Sequence, residues 1–228
     1  KFCSDCGAKV DFRIPEGDNR PRYLCDDCGA IHYQNPRIVA GCIPEWDSRI
    51  LLCRRAIEPR YGLWTLPAGF MENGETVEAA ASRETEEEAC AKVKLDGLYC
   101  ICNIPHVHQV YMIFRGQVIN GHFEPGPDSL ETALFSEADL PWKELAFPVV
   151  ERTLRRYFKD RLTDRFDTYL DTISGLASAR CNHQHCINWL DAVTSQTRKI
   201  SDFRVGVVRL RPRFAVPIDP DRSDSSSD

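Results

Sequence analysis

Four acidic side chains crowd the stretch Arg83-Glu84-Thr85-Glu86-Glu87-Glu88, which follows a glycine-bearing loop, Gly69-Phe70-Met71-Glu72-Asn73-Gly74-Glu75. From Thr76 to Ala89 there is neither Gly nor Pro, and Ala and Glu dominate, so this segment reads as a helix. Successive helix residues lie about 100° apart around the axis, so Glu84, Glu87 and Glu88 share one arc of about 100° while Glu86 points away from Glu84. Like charges at that spacing repel one another, and a helix tolerates them more readily when cations sit between the side chains. An all-oxygen ligand set of this kind suits a hard ion, Mg²⁺ or Mn²⁺, better than zinc. Arg83 is placed to pair with Glu75 and hold the loop against the helix, a positioning role. A Glu run alone reads as a solvated helix face; the register with Gly69, Glu75 and Arg83 is what sets this one apart.

A second chemistry stands at the start of the chain. Cys3-Ser4-Asp5-Cys6-Gly7 and Cys25-Asp26-Asp27-Cys28-Gly29 are separated by 18 residues between Cys6 and Cys25. Each pair is followed by a glycine, which lets the backbone turn its amides toward the sulfurs. A segment of about 33 residues buries too little apolar surface to fold unaided. Four thiolates at this spacing fit a closed, tetrahedral structural zinc site, with Cys3, Cys6, Cys25 and Cys28 as ligands and no open position for catalysis. The other reading, two redox-active CxxC pairs, lacks the thioredoxin-like surroundings such motifs have. The remaining cysteines do not follow a secreted disulfide framework. Cys42, Cys53, Cys90, Cys100 and Cys102 mostly sit among apolar residues, as small buried hydrophobes do, and a reducing compartment is expected.

The elements that must position these groups can be read between them. Arg37–Pro44 and Arg49–Cys53 read as strands flanking a turn at residues 45–48. A Pro-, Gly- and aromatic-rich loop, 59–70, leads to the acidic helix. Strands are expected again at 93–102, 107–118 and 132–135, and a short helix at 137–145. Apolar residues at Val150, Leu154, Phe158, Leu162, Phe166, Leu170 and Ile173 follow a helical spacing across 148–174. Beyond Gly175 the periodicity fades; Asp202–Val216 could hold a strand, and the polar Ser223–Asp228 reads as disordered. Cys181-Asn182-His183-Gln184-His185-Cys186 fits no standard zinc spacing.

The 228 residues carry a net charge of −5, but residues 1–150 sum to −8 and residues 151–228 to +3. The body therefore has no electrostatic footprint for duplex nucleic acid. The longest uncharged stretch, between Asp96 and Arg115, contains Asn103, Pro105, His106, His108 and Gln109, which argues against a membrane span. The chain opens at Lys1 with no apolar signal core, so a cytoplasmic location is expected; a plastid location is the alternative if a leader has been removed.

The acidic stretch resembles the signature of the Nudix hydrolases, Gly-x5-Glu-x7-Arg-Glu-U-x-Glu-Glu-x-Gly-U, U being a bulky aliphatic residue. Gly69, Glu75, Arg83, Glu84, Glu87 and Glu88 match; Cys90 replaces the closing glycine, and Thr85 and Ala91 stand at aliphatic positions. A non-glycine at that left-handed helix exit costs about 1–2 kcal/mol unless the exit changes. A zinc ribbon ahead of such a domain occurs in NADH pyrophosphatases, whose Ser-Gln-Pro-Trp-Pro-Phe-Pro motif is missing here. It also occurs in a bacterial and plant-plastid group acting on ADP-ribose and FAD. That group is similar through Ile14–Asp18, Tyr33–Pro36, Leu63–Gly69, Gln109–Tyr111 and Pro125–Glu131.

The resemblance implies an α/β fold, an α/β/α sandwich around a mixed sheet, divided as a zinc ribbon (1–33), a Nudix domain (34–160) and a C-terminal extension (161–228). It implies Mg²⁺- or Mn²⁺-dependent hydrolysis of a pyrophosphate bond in ADP-ribose or FAD, releasing AMP. Glu84, Glu87, Glu88 and the Ala68 carbonyl would hold the catalytic ions. Glu131 is the loop candidate for general base, the signature helix offering the alternative. Arg54 or Arg55 could reach a phosphate, and Trp64, Phe70 or Tyr111 could stack on adenine. The partner would be a small dinucleotide, and the family makes an isologous homodimer an expectation. The alternatives are hydrolysis of NADH or NAD-capped RNA, and a non-catalytic nucleotide-sensing module.

Overall fold

The computed structural model describes residues 1–174. The Cys181–Cys186 cluster, the strand expected at 202–216 and the polar end lie outside the described residues.

Three short antiparallel strands, β1 (Val10–Arg13), β2 (Arg22–Cys25) and β3 (Ile31–His32), form the N-terminal unit. Its core is small: Cys3, Val10 and Cys25 are buried, with Ala8, Tyr23 and Ala30 packed around them. Gly7 (φ 78°) and Gly29 (φ 74°) turn left-handed, and their N–H groups donate to the carbonyls of Cys3 (3.0 Å) and Cys25 (2.9 Å). Two equivalent turns thus present the paired thiols.

The larger unit is built on β4 (Arg37–Trp46), β5 (Arg49–Arg55), β6 (Trp64–Thr65), β7 (Ala68–Phe70), α1 (Val77–Ala89), β8 (Val93–Ile104), β9 (Gln109–Val118), β10 (Ser129–Phe135), α2 (Pro148–Arg161) and β11 (Tyr169–Thr172). Its mixed sheet runs β10-β5-β4-β9-β8-β11, with β6 on β5 and β7 on β4. The expected strands are present, and most run longer than expected. The turn between β4 and β5 is tighter, because only Asp47 (φ 48°) and Ser48 (φ 61°) leave the ladder, as a two-residue hairpin of primed twist requires.

Side chains alternate along β5, and all of Ile50–Cys53 is buried, because both faces of the sheet are covered. Ile50 and Leu52 pack with Leu154, Tyr157 and Phe158 of α2. Leu51 and Cys53 pack toward Ala89 and Ala91 at the end of α1, and Ala80 and Ala81 of the same helix meet Ala40 and Phe114. The result is the α/β/α sandwich. Gly41 in β4 brings β7 in close: a Cβ there would overlap Ala68 and the Pro67 carbonyl.

Two expectations are corrected. The helix expected at 137–145 is a run of turns with one 3-10 turn at Trp142–Glu144. The helical spacing across 148–174 ends at Arg161; Asp164 adopts φ 51°, and Tyr169–Thr172 forms a strand parallel to β8. Leu162 (84% exposed) and Leu170 (74% exposed) therefore never joined the apolar face that the periodicity suggested.

Candidate active site

Helix α1 begins at the Thr76 cap, whose hydroxyl accepts from the Ala79 N–H at 3.2 Å. Its inward face carries Ala80, Ala81, Glu84, Thr85, Glu88 and Ala89, so two carboxylates sit where an amphipathic helix would bury hydrocarbon. Glu84 and Glu88 are each 9% exposed; Glu87 flanks them at the solvent edge, and Glu86 points outward to Lys92. Thr85 and Ala91 fill their aliphatic positions and are fully buried, the Thr85 hydroxyl donating to the Ala81 carbonyl at 2.7 Å.

Arg83 pairs with Glu75 through two parallel contacts, Nη2–Oε1 at 2.8 Å and Nε–Oε2 at 3.1 Å. The same guanidinium donates to the Phe70 carbonyl (3.1 Å), Glu84 Oε1 (2.8 Å) and Glu87 Oε2 (3.0 Å). It ties loop, strand and helix into one body, more than the single pairing expected. Arg83 and the Glu72 N–H hold the Glu75 carboxyl down at about 2. Burial pushes Glu84 upward and Glu88 up to about 8, although the Ala68 N–H donates to Glu88 Oε2 at 3.1 Å.

Cys90, at the position of the signature's closing glycine, still adopts the left-handed conformation (φ 47°, ψ 26°). The helix exit is therefore kept and the side chain bears the strain. The carbonyls left over at that end are satisfied by the loop after β9: the Glu124 N–H donates to Ala89 (2.9 Å) and the Gly126 N–H to Glu88 (3.1 Å). A Cβ on Gly126 would overlap the Glu87 carbonyl, so this close approach requires glycine.

These acids border a cleft of about 320 Å³. Val39, Ala68, Gly69, Gln109 and Tyr111 from β4, β7 and β9 line it together with α1, and Arg55, Ile57, Pro59, Phe70, Asp128 and Phe147 line it as well. Of the substrate-binding candidates, Arg55, Phe70 and Tyr111 reach the cleft. Arg55 is buried, donates from Nε to the Pro59 carbonyl at 2.9 Å and stacks over Phe147, its centre 5.1 Å from the ring. Phe70 stacks under Arg37 at 4.5 Å. Burial pushes the Tyr111 phenol up to about 12.

The other candidates stand elsewhere. Trp64 is 7% exposed and meets Phe135 edge-on at 4.9 Å, as part of the core. Arg54 donates to the Gly62 carbonyl at 2.8 Å and faces Glu131 at 3.5 Å; both side chains are exposed and outside the cleft. Asp128 is the acid of that loop that lines the cleft, because the Ala56 N–H donates to its carbonyl at 2.8 Å and ties the loop to the end of β5. Asp128, Gln109 and Phe147 went unflagged in the sequence. Gln109 and Asp128 left one trace there, their places in the stretches Gln109–Tyr111 and Pro125–Glu131 that the resemblance covers.

The donor sets fit two different metals. The sulfurs of Cys3, Cys6, Cys25 and Cys28 all lie within 4.8 Å of one another, close enough for one tetrahedral ion of zinc type. Glu84, Glu87, Glu88 and the Ala68 backbone offer only oxygen, which suits Mg²⁺ or Mn²⁺. Among the described residues only the cysteines bring their ligand atoms that close together. Arg83 takes up Glu84 and Glu87, and the Ala68 N–H takes up Glu88.

An α/β/α sandwich carrying this acidic helix, preceded by a four-cysteine ribbon, defines the class. Residues 35–157 match the family model of the NUDIX domain and residues 1–34 that of the zinc-ribbon Nudix N-terminal unit, and the chain belongs to the Nudix hydrolases. It is similar to a NUDIX hydrolase of Nitrosomonas europaea of known structure, with 51% identity and a TM-score of 0.74 over 76% of this chain and 98% of that one. An ADP-ribose pyrophosphatase of Methanocaldococcus jannaschii is 34% identical over 131 residues, 56% of this chain and 76% of the relative. The NAD-capped RNA hydrolase NudC of Deinococcus radiodurans is 32% identical over 163 residues, 68% of this chain. The match spans 55% of that relative's length.

Proposed function

We propose that the chain hydrolyses the pyrophosphate bond of a nucleoside diphosphate linked to a second moiety, with ADP-ribose or FAD as substrate and AMP as one product. Water adds across the P–O–P bridge, giving AMP with ribose 5-phosphate, or AMP with FMN. The observation that carries this reading is that Glu84, Glu87 and Glu88 border one cleft whose other lining residues include Phe147, Tyr111 and Ile57. The acids suit a polyanion with its counterions, and the aromatic and aliphatic lining suits a planar base.

Mg²⁺ or Mn²⁺ bound by Glu84, Glu87, Glu88 and the Ala68 carbonyl would withdraw charge from the non-bridging phosphate oxygens. Arg83 and Glu75 keep the helix and the loop in register. Arg55, buried at the cleft wall, places a fixed cation for a phosphate oxygen. The proton of the attacking water falls to a carboxylate of the cleft rather than to Glu131, which lies outside it.

The NudC-like relatives support a second reading, cleavage of NADH or of an NAD cap. All these substrates release AMP or an adenylyl end, so the other product separates them: ribose 5-phosphate, FMN or nicotinamide mononucleotide. A purely sensing role is disfavoured because all three acids of the signature are present. Incubation with Mg²⁺ and a panel of dinucleotides, with chromatography of the products, tests the reading. AMP release should vanish in Glu88→Gln while the fold survives; unchanged turnover in that variant would overturn it.

A further inference from the structure

Among the cleft's side chains without a hydrogen-bond partner in the described residues, which include Tyr111 and Asp128, Gln109 supplies the one amide. Gln109 is 5% exposed, yet its amide makes no hydrogen bond to any described residue. It is also absent from the atoms sealed away from solvent without a partner, so the amide opens on the cleft it lines. With no protein partner on either amide atom, both its oxygen and its nitrogen are free to pair with a ligand in the cleft.

The surroundings say what kind of ligand. Gln109 opens β9, level with Arg37 of the parallel strand β4, and two residues on Tyr111 stands level with Val39. Gln109, Tyr111 and Val39 line the same cleft, with Ile57 and Phe147 also contributing. The cations of the cleft, Arg55 and Arg83, already hold backbone carbonyls or acids. A neutral amide on the same strand face as Tyr111 is poorly suited to phosphate and well suited to a flat heterocycle with adjacent donor and acceptor.

We propose that Gln109 is the residue that recognises adenine: its Oε1 accepts from the exocyclic amine and its Nε2 donates to the neighbouring ring nitrogen, while the ring lies against Tyr111 and Phe147. Gln suits this pairing because its amide presents one donor and one acceptor side by side, matching an amine next to a ring nitrogen. The assignment deepens the proposed hydrolysis, since adenine is the half that ADP-ribose and FAD share. Gln109 sets specificity and leaves the chemistry to the acids.

The test is binding of the product half, read without turnover. The full chain with saturating Mg²⁺ is titrated calorimetrically with AMP, with purine riboside 5′-monophosphate, which lacks the amine, and with FMN. The wild type should bind AMP at least 10-fold more tightly than the purine analogue. Gln109→Met, close in size and apolar, should bind the two alike, with FMN affinity unchanged and the melting temperature preserved; Gln109→Leu provides a second apolar variant. A Gln109→Met protein that keeps the preference for AMP, or a wild type that never shows it, overturns the assignment. So does a loss confined to FMN, which would place the flavin against the amide. If the preference collapses as expected but neither ADP-ribose nor FAD is hydrolysed, the adenine assignment stands and the proposed activity falls.

Discussion

Gly69 passes so close to Glu84 that a Cβ at residue 69 would overlap the Glu84 carboxylate. The glycine of the signature is thus a steric requirement of the acid, and its φ lies outside the left-handed region. Gly69→Ala should leave the fold in place, because the atoms it displaces form the end of a flexible side chain. The carboxylate would move by an ångström or more, and misplacement of that size costs on the order of 100-fold in rate. The check is AMP release alongside a melting curve. A stable protein with full activity would refute the steric account. Gly126→Ala provides the contrast, since its Cβ would meet the Glu87 backbone carbonyl, which cannot rotate away. That variant should lose stability first, by about 1–3 kcal/mol.

Arg83 touches five acceptor atoms on four residues, at 2.8–3.1 Å. Lysine carries the charge but lacks the planar fork, so Arg83→Lys should lower kcat by about 10- to 100-fold with a smaller change in KM. Glu75→Gln should act in the same direction and more mildly. It should also flatten the acid limb of the stability profile. The folded carboxyl is depressed to about 2 from an ordinary 4.5, so its contribution is complete above 4.5 and fades as pH falls toward 2. Acid titration of melting temperature in both proteins reads the difference.

Much of this site is written locally. The acidic helix follows from fourteen residues, 76–89, without a breaker, and the arc of Glu84, Glu87 and Glu88 from helix geometry alone. The cysteine pairs carry their own turns at Gly7 and Gly29. What could not be read depends on distant pairing. Gln109 enters the cleft because β9 lies parallel to β4, a neighbour some 70 residues away in sequence. Trp64 sits in a Pro- and Gly-rich run whose pattern does not say which way a side chain turns; its pairing with β5 turns it into the core. Leu170 matched a helical period by coincidence, since strand β11 reuses apolar residues after α2 has ended.

Glu88 should make metal-free stability depend on pH in the direction opposite to Glu75. Burial raises the folded carboxyl to about 8 from 4.5, so the folded state binds the extra proton between those values. Stability therefore falls as pH rises from 4.5 toward 8 and levels off above it. Melting curves in a chelator that spares the zinc ribbon should show that slope in the wild type and a weaker one in Glu88→Gln. Added Mg²⁺ should raise the melting temperature of the wild type most at the alkaline end, where the carboxylate is already ionised, and should do little for the variant. A metal response independent of pH would remove Glu88 from the ligand set.

Cys90 holds a left-handed conformation that a residue with a Cβ resists, at φ 47° and ψ 26°. The strain is retained because the exit cannot move: the Ala89 and Glu88 carbonyls on its N-terminal side accept from Glu124 and Gly126, and Ala91 is fully buried just beyond. Cys90→Gly removes about 1–2 kcal/mol of strain and gives back part of it in unfolded-chain entropy, for a net gain of about 0.5–1 kcal/mol. In a domain of this size that raises the melting temperature by about 1–4 °C. Cys90→Val, β-branched in the same backbone conformation, should lower it. Because Cys90 does not line the cleft, AMP release should be unchanged in the glycine variant. A glycine variant no more stable than the wild type would mean that the turn carries no strain to release.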